Sequence, residues 1–579
     1  MDYLTKAALS SKAVLSSKAA LLGKAAVSVS SPSTTAQPAS FTKTVLRGNS
    51  NSRLIKTLCA ALSLSLVALT LPNASLADVA NNKPAAKSGA SNSLTKSGAS
   101  NIDTGKLEVP SASVSNEQWR KNPPSSPPPR PFKLPTITSY KLDNGLQVQL
   151  IEDHRVPFLT VALGIKAGSA LEPKDKLGLA EMTADMLNEG TTTKKSKEIA
   201  DETDFIGGGL KAVSDFDFTI VSGSALSKYS DRLVNLLSDI VFHPTFPEEE
   251  LKLAKTNLTQ ALAMKRSEPD FLVEERFNKV VFGDHPYSVV APTPTTIENI
   301  ARKDLQEFHD SHYLPNEATL VIVGDFDPAH LKQQIESKFG TGIWKSGTMP
   351  VADMPQLPKQ NGRKIYLVDR PGSVQSSIKL GNVAINKADP DYFPVQVANQ
   401  ILGGAAHSRL FLNIREQKGY TYGAYSSVAA HRQRGPFAAE AEVRTEVTAP
   451  SLEEFLYELS RIRDVKVTDK ELKDAKTYIV GSFQLGLETQ AGLAQRLLEL
   501  KLYDLPDNYL ETYADKVMAV TSEQIRKVAR KVIDTNNIVI SVVGDAAKIK
   551  QDLQYFAPVE VYDTTGKLSS DAASNPLSL

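Results

Sequence analysis

Apolar and polar residues begin to alternate at Ile137. The stretch ITSYKLDNGLQVQLIED (137–153) changes side residue by residue, which predicts two strands. Between them Asn144-Gly145 is a hairpin-type turn, a pair that accepts positive φ at low steric cost. PFLTVALGIKAG (157–168) predicts the next strand. A helix is expected from about Leu177 and a second over roughly 196–207. Strands then fit Gly209–Ser214 and Phe216–Ala225, and helices fill about 226–241 and 247–266.

The pattern repeats. LQEFHDSHYLPNEATLVIVGD (305–325) and IRKVARKVIDTNNIVISVVGD (525–545) both read helix, polar turn, apolar strand and a closing V-G-D, at an offset of 220 residues. The expected fold is therefore α+β, with two tandem homologous domains over 137–346 and 360–565. Each is expected to be a mixed, mainly antiparallel sheet with helices packed on one face. The Pro-rich GTMPVADMPQLPKQNG joins them, with 347–359 as the linker and 566–579 as a flexible tail.

Upstream the pattern is different in kind. Residues 78–135 are rich in Ser, Asn, Lys and Pro and end in NPPSSPPPRPFKLP, a composition too poor in apolar surface to fold, so this is expected to be a tether. LCAALSLSLVALTL (58–71) has the length of a signal-peptide apolar region, with Arg53 and Lys56 before it and a small-x-small cleavage pattern, Ser75 and Ala77, after it. Residues 1–77 thus read as a targeting leader for export to the periplasm. The rivals are a bipartite organelle signal, because the first 50 residues are rich in Ala, Ser and Lys, and an uncleaved membrane anchor.

Charge follows the same division. The leader holds eight Lys/Arg and one acid, Asp2, which leaves 58 basic and 64 acidic residues in the body. Without a basic excess the body is a poor nucleic-acid binder. The single cysteine, Cys59, lies in the leader, so the body forms no disulfide. At 41% hydrophobic and 23% charged, the composition is that of a soluble globular protein.

Several stretches together resemble the pitrilysin/insulinase family of zinc metallopeptidases, in its short two-domain form. They are NGLQVQLIEDHRVPFLTVALGIKAGSALEP leading into GLAEMTADMLNEGT, FPEEELKLAKTNLTQAL, GDHPY (283–287) and LGGAAHSRLFLNIREQKGYTYGAYS. Active members carry H-x-x-E-H on a helix: two histidines on one face hold zinc and the glutamate deprotonates the bound water. By this resemblance the first histidine falls on Glu181, the glutamate on Ala184 and the second histidine on Asp185. The distal glutamate ligand falls on Ala261 and a supporting acid on Ala254. No zinc is expected in this chain. Glu181 and Asp185 share a helix face at i, i+4, but two acids fall short of the six or more oxygens of a hard cation, so they read as solvated acids lining an inert cleft. His309 and His312 in EFHDSHYLP lack an acid or cysteine cluster and read as packing and capping residues.

The second half keeps what the first has lost. Relatives carry an arginine and a tyrosine seven residues apart that grip the substrate backbone and stabilise the oxyanion. Here the spacing gives Arg415 and Tyr422, a cation and a phenol suited to developing negative charge, with Tyr420 and Tyr425 as neighbours. The Gly403-Gly404 turn is shorter than the glycine-rich loop of the presequence-binding subunit of the mitochondrial processing peptidase. Relatives also bind substrate by edge pairing, for which Phe216–Ala225 is the candidate strand here. The resemblance therefore implies a zinc-free subunit of an exported heterodimeric peptidase. Arg415 and Tyr422 would act in trans on unfolded peptides held by a homologous partner with intact H-x-x-E-H and zinc. The alternative is an inactive scaffold subunit of a membrane-associated complex.

Overall fold

The computed structural model describes residues 133–569. Two six-stranded sheets organise them. The first half runs β1 (Thr138–Lys141), β2 (Gln147–Glu152), β3 (Phe158–Ile165), α1 (Leu179–Met186), α2 (Ser196–Phe205), β4 (Gly209–Ser214) and β5 (Thr219–Leu226). It continues through α3 (Ser230–Phe242), α4 (Glu248–Lys265), α5 (Pro269–Phe282), α6 (Pro294–Asn299), α7 (Arg302–His312), β6 (Ala318–Gly324) and α8 (Pro328–Phe339). The second half runs β7 (Lys364–Asp369), β8 (Gln375–Val383), α9 (Tyr392–Leu402), a π-helix (Phe411–Gln417), β9 (Thr421–Val428) and β10 (Pro436–Arg444). α10 (Thr448–Asp464), α11 (Asp469–Gly486), α12 (Gln490–Leu502), α13 (Tyr509–Met518), α14 (Ser522–Val532), β11 (Val539–Gly544), α15 (Ala546–Leu553) and β12 (Val559–Tyr562) complete it.

The strand orders are β1-β2-β6-β3-β5-β4 and β12-β7-β11-β8-β10-β9, so five of the six positions correspond between halves. Both sheets are mixed and mainly antiparallel, with β2/β6 parallel in the first and β7/β11 and β12/β7 parallel in the second. The outermost strand on one side differs in origin: β1 precedes its sheet as a hairpin arm, whereas β12 arrives from the chain's end and runs parallel. Gly145 takes φ 94° in the β1–β2 turn, as the Asn-Gly pair requires.

The V-G-D repeat has a structural role in each half. The fully buried strands β6 and β11 lie inside their sheets. The aspartate that follows each reaches the neighbouring turn: Asp325 bonds His154 Nδ1 at 2.6 Å, and Asp545 accepts from Gly372 N–H at 3.1 Å.

Each sheet has helices of its own half on one face. The opposite face is covered by a helix from the other half. α12 lies on β3 and β6 of the first sheet, and α5 lies on β8 and β11 of the second. Leu493, Leu497, Leu498 and Leu502 of α12 are buried with Ala162, Val321 and Val323. Burial of each leucine stabilises by about 2 kcal/mol. Gly164 permits the approach, since a Cβ there would meet Leu498 and Leu502 Cδ1 at 2.8 Å. In return, Leu272 and Val273 of α5 pack with Val368 and Val543 of the second sheet. Polar ties accompany this exchange: Lys379 Nζ lies 2.6 Å from Glu274 and 2.7 Å from Glu440. The exchange was not legible in the sequence, because neither helix carries a signal naming its sheet.

Candidate functional site

The helix that would carry a zinc motif is α1. Glu172 prepares its start: the N–H groups of Gly178 and Ala180 donate to the Glu172 carboxylate at 2.9 and 2.7 Å. Burial pushes the Glu172 acid up to about 7, against those two bonds, with Glu181 adding repulsion. Six of the eight α1 residues are buried, namely Leu179, Ala180, Met182, Thr183, Ala184 and Met186. Glu181 and Asp185 are thus the only members that face out, at i, i+4.

Ala184 is 0% exposed and belongs to the first-half core, so its position is filled as well as unable to ligate. α4 packs beside α1 and brings Ala254 and Ala261, both half-buried. Crowding by protein pushes Asp185 up to about 7, helped by Glu181 and Glu189 and opposed by Lys211 of β4. Its side chain still opens to solvent, so the energetic consequence is smaller than that shift alone would give. Two carboxylates and three alanines do not fit zinc, which takes four close nitrogen, sulfur or oxygen donors. Among the described residues no group of three His, Cys, Asp or Glu side chains converges to hold a metal ion. His309 and His312 are structural: His309 Nε2 bonds Val241 O at 2.7 Å, and His312 stacks on Phe308 at 4.3 Å.

Arg415 and Tyr422 do come together. The Arg415 guanidinium lies 4.6 Å from the Phe411 ring centre and 4.8 Å from that of Tyr422. Among the described residues its one ion pair is with the adjacent Glu416, at 3.3 Å. Tyr422 is 88% exposed, and Tyr425, 5.7 Å from Phe411, is also exposed. Strand parity alone would turn Tyr422 to the side of the buried Ala424 and Ser426. A β-bulge prevents this: the register slips between Ala441 and Val443 of β10, so β9 carries one extra residue there. Gly423 belongs to the bulge, where a Cβ would meet the Tyr425 ring at 2.6 Å. This bulge is a feature that sequence reading missed; Gly423 between two tyrosines was its available signal.

The expected edge strand needs correction. The strand begins at Thr219, because Phe216–Phe218 form the turn that Asp215 closes by accepting from Asp217 and Phe218 N–H. It lies inside the sheet between β3 and β4, so β4, Gly209–Ser214, is the edge. Among the described residues no backbone group of β4 bonds beyond β5. The corresponding edge, β9, is latched by α9: Ser426 N–H donates to Gly403 O at 3.0 Å, and Asn399 Nδ2 donates to Ser426 O at 3.1 Å. Gly403 allows this approach, since a Cβ there would lie 2.2 Å from Ser426 N. No hydrogen bond, ion pair or ring contact among the described residues joins the α1 acids to the Arg415 cluster.

Comparison with known proteins agrees with this architecture. Residues 147–292 match the family described as insulinase, peptidase family M16, and residues 299–479 match the peptidase M16 inactive domain. The chain is 24% identical over 414 residues to the uncharacterized zinc protease YmxG of Bacillus subtilis, covering 71% of this chain and 99% of that one. It is 25% identical to an uncharacterized zinc protease of Rickettsia felis, covering 72% and 98%. A solved peptidase M16 inactive domain from Pseudomonas fluorescens superposes with a TM-score of 0.66 at 27% identity, over 70% of this chain and 98% of that one. A protease from Helicobacter pylori has the same fold, with a TM-score of 0.66 at 21% identity, over 71% of this chain and 100% of that one. With both halves matched and these two sheets in tandem, the chain belongs to the insulinase family of peptidases, M16.

Proposed function

We propose that this chain is the zinc-free subunit of an exported heterodimeric M16 peptidase, with Arg415 and Tyr422 serving peptides held by a zinc-bearing homologous partner. The observation that carries this reading is the presentation of Arg415: its guanidinium lies over the Phe411 and Tyr422 rings, and among the described residues its ion pair is with its own neighbour Glu416. An arginine fixed in this way is a preorganised donor for a peptide carbonyl on which negative charge develops. The open edge of β4 supports it further, since an extended peptide can add there as a strand. Glu181, Ala184, Asp185 and Ala261 offer too few donors for zinc, which supports a reading in which the zinc and the bond-breaking chemistry belong to the partner, while this chain's own residues bind and orient the peptide. Export rests on the leader, which lies outside the described residues.

The test is to purify the C-terminally tagged chain from its own cells and measure co-purifying protein, zinc and peptide hydrolysis together. A single zinc-bearing homologue with hydrolysis, weakened on the order of a hundredfold by Arg415→Ala, is the expected result. An inactive, zinc-free preparation bound to unrelated membrane proteins would instead establish a scaffold subunit.

A further inference from the structure

The segment bearing Arg415 is a π-helix. Lys418 N–H reaches back five residues to Asn413 O, and Tyr420 N–H six residues to Ile414 O, each at 3.0 Å. Such widened turns are rare and persist where surrounding structure fixes them. Here the fixing groups are charged. Arg409, 6% exposed, donates from Nε and Nη2 to Glu471 at 2.7 and 3.1 Å. Glu471 also accepts from Thr468 N–H at the start of α11. Burial opposes the Glu471 charge, but the Arg409 bonds outweigh it and pull the acid down to about 2. Asn413 donates to Glu454 at 2.9 Å and to the buried Glu458 at 3.1 Å, both on α10.

Stability alone is a weak reason for this arrangement. Arg409 Nη1 is buried without a partner among the described residues. An apolar pair of similar volume is often as stable as a buried ion pair. What the planar fork of an arginine adds is orientation. We propose that Arg409, clamped by Glu471, is a positioning residue: it holds the π-turn in the register that stacks Arg415 between Phe411 and Tyr422. This rests on the role given to Arg415 above.

The test uses the full-length chain, alone and in its native complex. In arginine-labelled chain, the ring currents of Phe411 and Tyr422 shift the Arg415 side-chain proton signals, which an Arg415→Lys variant assigns. Arg409→Lys is expected to remove more than half of that shift. In the complex it should lower kcat about tenfold with KM within twofold, and exchanging the pair (Arg409→Glu with Glu471→Arg) should restore most of the loss. If Arg409→Lys does not fold, Glu471→Gln, which keeps the carboxylate's shape, takes its place with the same expected shift. A folded variant with an unmoved Arg415 signal overturns the positioning role. If Arg415→Ala itself leaves turnover unchanged, the proposed function fails, and the ring-current shift alone decides the positioning role.

Discussion

The two halves of this molecule share a sheet order and differ at corresponding corners. Beside β4, the α1 corner turns two acids, Glu181 and Asp185, outward and seals Ala184 between them in the core. Beside β9, the other corner holds a cation, Arg415, over the ring of a phenol, Tyr422. Its segment departs from regular geometry twice, in a π-turn and in a β-bulge. Regular packing suits a surface with nothing to aim. Irregular backbone, tied down by Arg409, Asn413 and the Thr421 hydroxyl that bonds Gly423 N–H, suits side chains whose direction matters. The same fold thus carries regular, core-packed backbone at one corner and irregular backbone at the other.

The contrast is sharpest at Ala184. Ala184→Glu would bury an unpaired acid and overfill the core, so a loss of about 3 kcal/mol or more is expected in a denaturant titration. Glu181→Gln, on the open face, should change stability by less than about 0.5 kcal/mol. A well-tolerated Ala184→Glu would show that the corner is still an open site.

In the proposed heterodimer, Arg415→Ala should lower turnover on the order of a hundredfold, or about 2.7 kcal/mol. Tyr422→Phe keeps the ring and loses the hydroxyl, so about tenfold is expected. The Glu181→Gln, Asp185→Asn pair should stay within about twofold, and steady-state kinetics on one peptide compares all of these variants.

Gly164→Ala probes the docking of the halves. A methyl wedged against Leu498 and Leu502 should cost about 2 kcal/mol in thermal or urea unfolding.

The smallest effect expected is on pH. Asp185 titrates near 7 in the folded chain and near 3.9 when unfolded. The folded state therefore holds an extra proton between those values, and this group's contribution to stability falls as pH rises from about 4 to 7. Asp185→Asn should leave stability unchanged at pH 4 and raise it by about 1 kcal/mol at pH 8, after allowance for solvent screening. Equal gains at both pH values would refute the shift.

Much of the fold was legible because it is written locally. The Asn144-Gly145 turn, the period change into α1 and the repeat at 220 residues all depend on neighbours within one element. The shared helix face of Glu181 and Asp185 and the proximity of Arg415 and Tyr422 were also readable, since helix faces and spacings are counted along the chain. Three features were not. Phe216–Ala225 reads as a strand, but only the pairing with β3 and β4 decides that it is interior and starts at Thr219. Ala184 reads as a missing base, but it is buried in a core cluster whose members come from far along the chain, including the Arg302–His312 helix packed on α1. The direction of Tyr422 is set by the bulge opposite Glu442, which the sequence of β9 does not announce.

The sequence by itself therefore determined the elements, the duplication and which side chains are available for chemistry. Tertiary structure decided which edge is open, which half covers each sheet and where Tyr422 points. Those outcomes turn on strand pairing and packing between residues tens to hundreds of positions apart, where no single segment states a preference.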